Sequence, residues 1–234
     1  MKISANQPYF IPYIGYWQLI KSTDIFLVCD DYNYIKGGWI NRNRILNGSD
    51  PIYCNLSLDK ASQNKLINET FIKDIEIEKQ LRSLECSYKK APNFQDGYKL
   101  METILSCPER NLAYFLENSI KVVNEYLGIK TKIMRTSDIE GNSLLKREFR
   151  IYDFCEKLGA DHYINAIGGM ELYDFEEFKK RNLNLSFLKT NDITYKQFGN
   201  NFIENLSIID VIMFNSKEEV IKMLDEYTLV EGGK

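Results

Sequence analysis

Between Asp24 and Asp30 runs IFLVC, apolar at every position and too short to be a helix. Such a run is what a strand buried on both faces of a parallel sheet looks like. It follows KISAN, a first buried strand at residues 2–6, and IGYWQLIK, a helix from Ile14 to Lys21. Two strands joined by a helical crossover make a right-handed β-α-β unit, so the chain is committed to a parallel sheet within its first thirty residues. Ligands of such sheets sit beyond the carboxyl ends of the strands. That edge carries Gln7, Pro8, Asp30 and Asp31.

The remainder extends this plan. WINRNRIL and IYCNLSL flank the turn residues Asn47-Gly48-Ser49-Asp50-Pro51, the chemistry of a β-hairpin. Residues 59–72 are polar and read as an exposed loop, and the alternating IKDIEIE (72–78) reads as a strand. Three helices follow, the last with Leu112, Phe115, Leu116, Val123 and Leu127 at helical spacing and Gly128 as its stop. KIMRTSDI is expected as a strand, and Ser143 as the cap of a helix whose apolar face is Leu145, Phe149, Tyr152 and Leu158. HYINAIGG and LNLSFLK return to strand around the helix DFEEFKKR, and LSIIDVIMF and EEVIKMLDEY close the chain as helices. The expected class is α/β: a mostly parallel sheet with flanking helices, a β-hairpin insertion and a helical middle section. Residues 1–234 are expected to form one domain, with a helical subdomain at about 79–128.

Composition narrows the function classes. A net charge of −3 offers no global attraction to nucleic acid, so any anion site must be a local cluster. No run of eighteen apolar residues and no leader-like apolar core occurs, so a cytoplasmic protein without a membrane span is expected. The five cysteines are scattered without a C-x-x-C pair and suit buried small hydrophobes. Phosphate-loop, dinucleotide-fingerprint, zinc-hydrolase and nucleophile-elbow motifs are all missing, and no metal site is expected.

The densest polar stretch is Lys36-Gly37-Gly38-Trp39-Ile40-Asn41-Arg42-Asn43-Arg44. On a strand Arg42 and Arg44 share one face, while Asn41 and Asn43 share the other with Trp39. Forked guanidiniums suit phosphate or carboxylate, a tryptophan offers a flat wall to a sugar or base, and paired glycines let backbone amides approach an anion. A solvated hairpin face is the structural alternative. Asp30 and Asp31 are candidates for a general base or for holding a sugar hydroxyl or amine, against an ordinary turn or cap. Gln7 and Tyr16 belong to a loop stiffened by Pro8 and Pro12 and aimed at a helix start where Gly15 permits close approach, a natural anion cradle. His162, the single histidine, is a candidate acid or base, and Tyr195 and Gln197 are candidate cleft residues.

QPYFIPYIGYWQLI, DIFLVCDD, IKGGWINRNRI, the GADHYINAIGG region and LSIIDVIMFN together resemble the WbqC-like family, over essentially the whole chain. The most specific elements are Q-P-x-x-x-P-x-x-G-Y and W-x-N-R-N-R. Relatives often carry histidine where this chain has Asn6, and tryptophan where it has Tyr13, so base catalysis at position 6 is in doubt here. Members tend to be encoded beside enzymes of O-antigen and other bacterial surface sugars. The resemblance therefore implies a transferase that acylates or aminoacylates a nucleotide-linked amino sugar, in lipopolysaccharide biosynthesis. It names no cofactor beyond an acyl donor or ATP, no partner beyond the nucleotide sugar, and leaves homo-oligomerisation open. An ATP-dependent adenylate-forming enzyme and a non-catalytic carbohydrate-binding subunit are the alternatives.

Overall fold

The computed structural model describes residues 1–199 and 201–231. Strand β1 (Lys2–Asn6), helix α1 (Ile14–Lys21) and strand β2 (Ile25–Val28) form the expected opening unit. β1 and β2 pair in parallel, with Ile3 opposite Ile25 and Asn6 opposite Val28. In β2, Ile25 and Leu27 enter one core cluster while Phe26 and Val28 enter the other. A strand with core on both faces has no position left for a polar side chain, which accounts for the unbroken apolar run. Ile14 through Ile20 of α1 are all buried.

A hairpin follows, β3 (Arg42–Asn47) paired antiparallel with β4 (Asp50–Asn55). The short strands β5 (Leu58–Asp59) and β6 (Phe71–Ile72) make a second, two-residue pairing. The helical middle is α2 (Ile77–Tyr88), α3 (Phe94–Leu105) and α4 (Leu112–Leu127). β7 (Lys132–Arg135), α5 (Glu148–Leu158), β8 (His162–Ala166), α6 (Phe175–Lys180) and β9 (Asn184–Thr190) restore the alternation. α7 (Ile208–Phe214), α8 (Lys217–Met223) and β10 (Tyr227–Glu231) end the described chain. The six-stranded sheet runs β10-β9-β8-β1-β2-β7 and is parallel except for β10 on β9. One face packs against α1, the helical middle and α7, the other against α5 and α6.

Four local expectations need correcting. Residues 59–72 are anchored rather than a free loop: the Ile67 amide donates to the Tyr32 carbonyl at 2.9 Å, and Ile67 and Thr70 are buried. IKDIEIE is not a strand, because pairing stops at Ile72 and α2 begins at Ile77, whence Leu81, Leu84 and Tyr88 bury at helical spacing. Ser143 lies in a 3-10 turn and caps nothing; α5 starts at Glu148 and buries Arg150, Ile151, Phe154 and Cys155, leaving Phe149 exposed. The closing helix expected to reach Tyr227 stops at Met223, and a strand, Tyr227–Glu231, follows and covers the free edge of β9.

Candidate functional site

From β1 the chain moves outward to β2 and β7, then returns to the far side of β1 to lay down β8. The connections leaving β1 and β8 therefore diverge, and a crevice opens at the carboxyl ends between them. A cavity of about 590 Å³ lies beyond the carboxyl end of β1, between the proline-bearing loop and the hairpin, with Asn6, Gln7 and Pro8 as its floor. Tyr9 and Tyr13 of the proline-bearing loop form one wall, and Trp39, Arg44 and Asn205 line the opposite side.

The loop is held in an uncommon shape. Ile11 has φ of 41°, a left-handed conformation that costs a β-branched residue on the order of 1–3 kcal/mol. Its carbonyl is fixed by the Asn43 side-chain amide at 2.6 Å and by the Ser207 hydroxyl at 2.8 Å, both from fully buried residues. Asn43 also accepts the Arg44 backbone N–H at 2.8 Å, so one buried amide side chain couples the loop to the arginine across from it. At Gly15 a Cβ would lie 2.6 Å from both the Tyr13 ring and the Thr190 hydroxyl. The close approach expected at this glycine is thus made by a tyrosine of the wall; the space an anion cradle requires is filled.

Arg44 gives the cavity its charge. Its Nε is buried without a hydrogen-bond partner, and Nη2 reaches only the Glu204 carbonyl, at 3.4 Å. The guanidinium lies 5.8 Å from the Trp39 ring centroid, and no carboxylate pairs with it among the described residues. No acidic side chain lines this cavity. A buried donor without a partner costs about 1–3 kcal/mol, and a carboxylate or phosphate oxygen is its strongest available acceptor. Burial pushes the Tyr9 hydroxyl well above the usual tyrosine range, and it accepts the Tyr13 amide at 3.2 Å. Tyr9 therefore meets a ligand as a neutral phenol.

Several other sequence candidates are engaged elsewhere. Arg42 turns its guanidinium back onto the Gly37 and Gly38 carbonyls and stacks on Tyr53 at 4.7 Å. Lys36 is exposed and outside the lining. Asn41 pins the hairpin, accepting the Tyr34 hydroxyl at 2.9 Å and donating to the Leu56 carbonyl at 2.8 Å. Tyr16 is buried below the floor, its hydroxyl donating to the Gln7 carbonyl at 3.3 Å. Tyr195 and Gln197 both donate to the buried Asp210 carboxylate, at 2.6 and 3.0 Å. His162 pairs in register with Lys2, placing it at the amino edge of the sheet, opposite the cavity. Its imidazole contacts the Ser186 hydroxyl at 2.7 Å, and burial lowers its pKa, favouring the neutral ring.

Asp30 and Asp31 do reach the carboxyl edge, but their valences are filled. Asp30 is fully buried and accepts the Ser137 amide at 3.0 Å, the Ser137 hydroxyl at 2.6 Å and the Thr136 hydroxyl at 3.2 Å. Asp31 pairs with Arg150 at 2.7 Å, and that guanidinium stacks 4.3 Å over Tyr32. Of the sequence candidates, the cavity brings together Gln7, Trp39 and Arg44. It adds Tyr9, Tyr13 and Asn205, of which the two tyrosines lie inside the proline-bracketed loop and Asn205 has no sequence signal at all.

Sheet and cavity together define an α/β protein with an arginine-lined cavity beyond the carboxyl end of its first strand. The chain belongs to the WbqC-like protein family, matching it over residues 7–222. It is 27% identical over 218 residues to the uncharacterized protein Rv1507c of Mycobacterium tuberculosis, an alignment covering 92% of this chain and 93% of that one. No solved structure matches it. No helix among the described residues is long and apolar enough to cross a membrane.

Proposed function

We propose that this protein is a transferase acting on a nucleotide-activated sugar, whose diphosphate it holds in the cavity beneath the proline-bearing loop. The supporting observation is Arg44: a guanidinium with an unpartnered buried Nε, lining a cavity free of acidic side chains. An anion is the strongest partner for a guanidinium that no carboxylate compensates, and a planar fork favours phosphate or carboxylate. Trp39, about half exposed at the rim, offers an aromatic face to a base or sugar ring. The Gln7 side chain makes no hydrogen bond among the described residues and lines the floor, free to orient the ligand. The transfer itself, of an acyl or aminoacyl group to an amino sugar, is supported by membership of the WbqC-like family, whose members tend to be encoded beside enzymes of surface-sugar biosynthesis.

Calorimetric titration with UDP- and dTDP-sugars tests the binding step. Arg44→Ala is expected to weaken affinity by at least about tenfold, the range of a hydrogen-bonded charge. Equal affinity in variant and wild type removes the assignment. Mass spectrometry of a nucleotide amino sugar incubated with activated acyl donors tests the transfer; binding without turnover makes the chain a carbohydrate-binding subunit instead. Release of pyrophosphate from ATP with a carboxylic acid makes it an adenylate-forming enzyme.

A further inference from the structure

A second cavity, of about 370 Å³, opens where β9 ends at Thr190, and it shares Tyr13 and Asn205 with the first as a common wall. The two are lined by opposite charge. The first has Arg44 and no carboxylate; the second has Asp192 and Glu204 and neither lysine nor arginine. Glu204 joins the two, since its backbone carbonyl receives Arg44 Nη2 at 3.4 Å and the residue lines the second cavity.

The rest of the second lining is suited to a hydroxylated ring. Asp192, Thr194, Glu204 and Asn205 are exposed at its rim and their side chains make no hydrogen bond or ion pair among the described residues, so four polar groups are available to a ligand. Tyr13 and Phe202 contribute aromatic surface. Tyr195 presents its ring only, because its hydroxyl is committed to Asp210 at 2.6 Å. Polar acceptors set among aromatic surfaces recognise a sugar, whereas two carboxylates exclude a diphosphate. Tyr13 keeps its place between the cavities because Gly15 carries no Cβ.

We infer that a single nucleotide-sugar ligand spans both cavities, its diphosphate on Arg44 and its sugar beyond Tyr13, and that Asp192 and Glu204 select a sugar bearing a free ammonium group. This deepens the function proposed above and rests on it. The carboxylates would attract an ammonium, tolerate a neutral hydroxyl and repel a uronic acid, giving a specificity that Arg44 alone cannot supply.

The test compares ligands differing at one substituent: UDP-glucosamine against UDP-glucose, and the corresponding dTDP pair, with UDP and dTDP as references. Titrations are run at mildly acidic pH, so that the amine is protonated. The amino sugar is expected to bind wild type about tenfold more tightly than its hydroxyl counterpart, the sum of two partly exposed ion pairs. UDP-glucuronate is expected to bind more weakly than UDP-glucose. In Asp192→Asn/Glu204→Gln the preference is expected to fall to about twofold or less, with affinity for UDP or dTDP unchanged; that unchanged affinity also shows that the variant is folded. If the nucleotides bind but the amine adds nothing, or its preference survives in the double variant, the inference is overturned while the diphosphate site stands. If neither nucleotide nor its sugars bind, both readings fail.

Discussion

Two arginines at the carboxyl edge of the same sheet meet opposite fates. Arg150 lies over Tyr32, donates through Nε to Asn142 at 2.6 Å, and pairs with Asp31 at 2.7 Å, with both charged side chains less than a tenth exposed. Arg44 stands before a cavity with Nε unpartnered and no carboxylate within reach. The first arginine stitches α5 to the end of β2. The second has no carboxylate partner among the described residues, and a single long bond to the Glu204 carbonyl. A polar side chain at a strand end is thus read by its unfilled valences rather than by its chemical type.

The contrast can be broken from either side. Arg150→Ala strands the Asp31 carboxylate in a dry environment and is expected to cost about 3–5 kcal/mol in urea denaturation. Loss below about 1 kcal/mol would show that water reaches the pair and that the edge is open there too. Arg44→Ala removes no internal ion pair and relieves an unpartnered donor, so its unfolding free energy is expected to fall by no more than about 0.5 kcal/mol, or to rise, while nucleotide affinity falls by about 1.5–3 kcal/mol. A large drop in stability would place Arg44 with Arg150 as a structural residue.

Asp210 sharpens the comparison with a third case, an engaged carboxylate that has no cation. It accepts Tyr88 and Tyr195 hydroxyls at 2.6 Å each, and burial raises its pKa above the ordinary aspartate value. The folded form thus favours the protonated acid, so the contribution of this group is fully present below the unfolded pKa and is lost as pH rises through the folded one. The stability of Asp210→Asn relative to wild type should therefore increase with pH from the acid range toward neutrality. A pH-independent difference would mean that the three donors offset burial, and a decrease with pH that they outweigh it. Lys36→Ala is the smallest change, expected to alter stability and nucleotide affinity by less than about 0.5 kcal/mol, because the side chain is exposed and touches no cavity.

The parallel core was legible because its signals are local: the IFLVC run, the Asn47–Pro51 turn and the helical spacing from Leu112 to Leu127 each need only a short window of sequence. The failures arise where tertiary context decides. IKDIEIE alternates as a strand should, but only Phe71 and Ile72 find a partner, in β5. Tyr227–Glu231 has no distinctive pattern, and becomes a strand by pairing with β9. For the site, W-x-N-R-N-R pointed to the correct hairpin, yet it could not separate Arg42, whose acceptors are glycine carbonyls four and five residues away, from Arg44, which has almost none. Asp30 and Asp31 look available in sequence because Thr136, Ser137 and Arg150, which occupy them, lie more than a hundred residues along the chain.

The strand order also bears on self-association. β10 covers one margin of the sheet, and β7 is the other, hydrogen-bonded to β2 alone. That uncovered ribbon is four residues long and begins and ends on Lys132 and Arg135. Arg135 is held by Glu117 at 3.5 Å and Asp138 at 3.1 Å, so the edge is kept short and its one uncompensated cation among the described residues is Lys132. Removing the Lys132 charge would leave this margin freer to pair with another strand, so self-association should respond to a change far from the cleft.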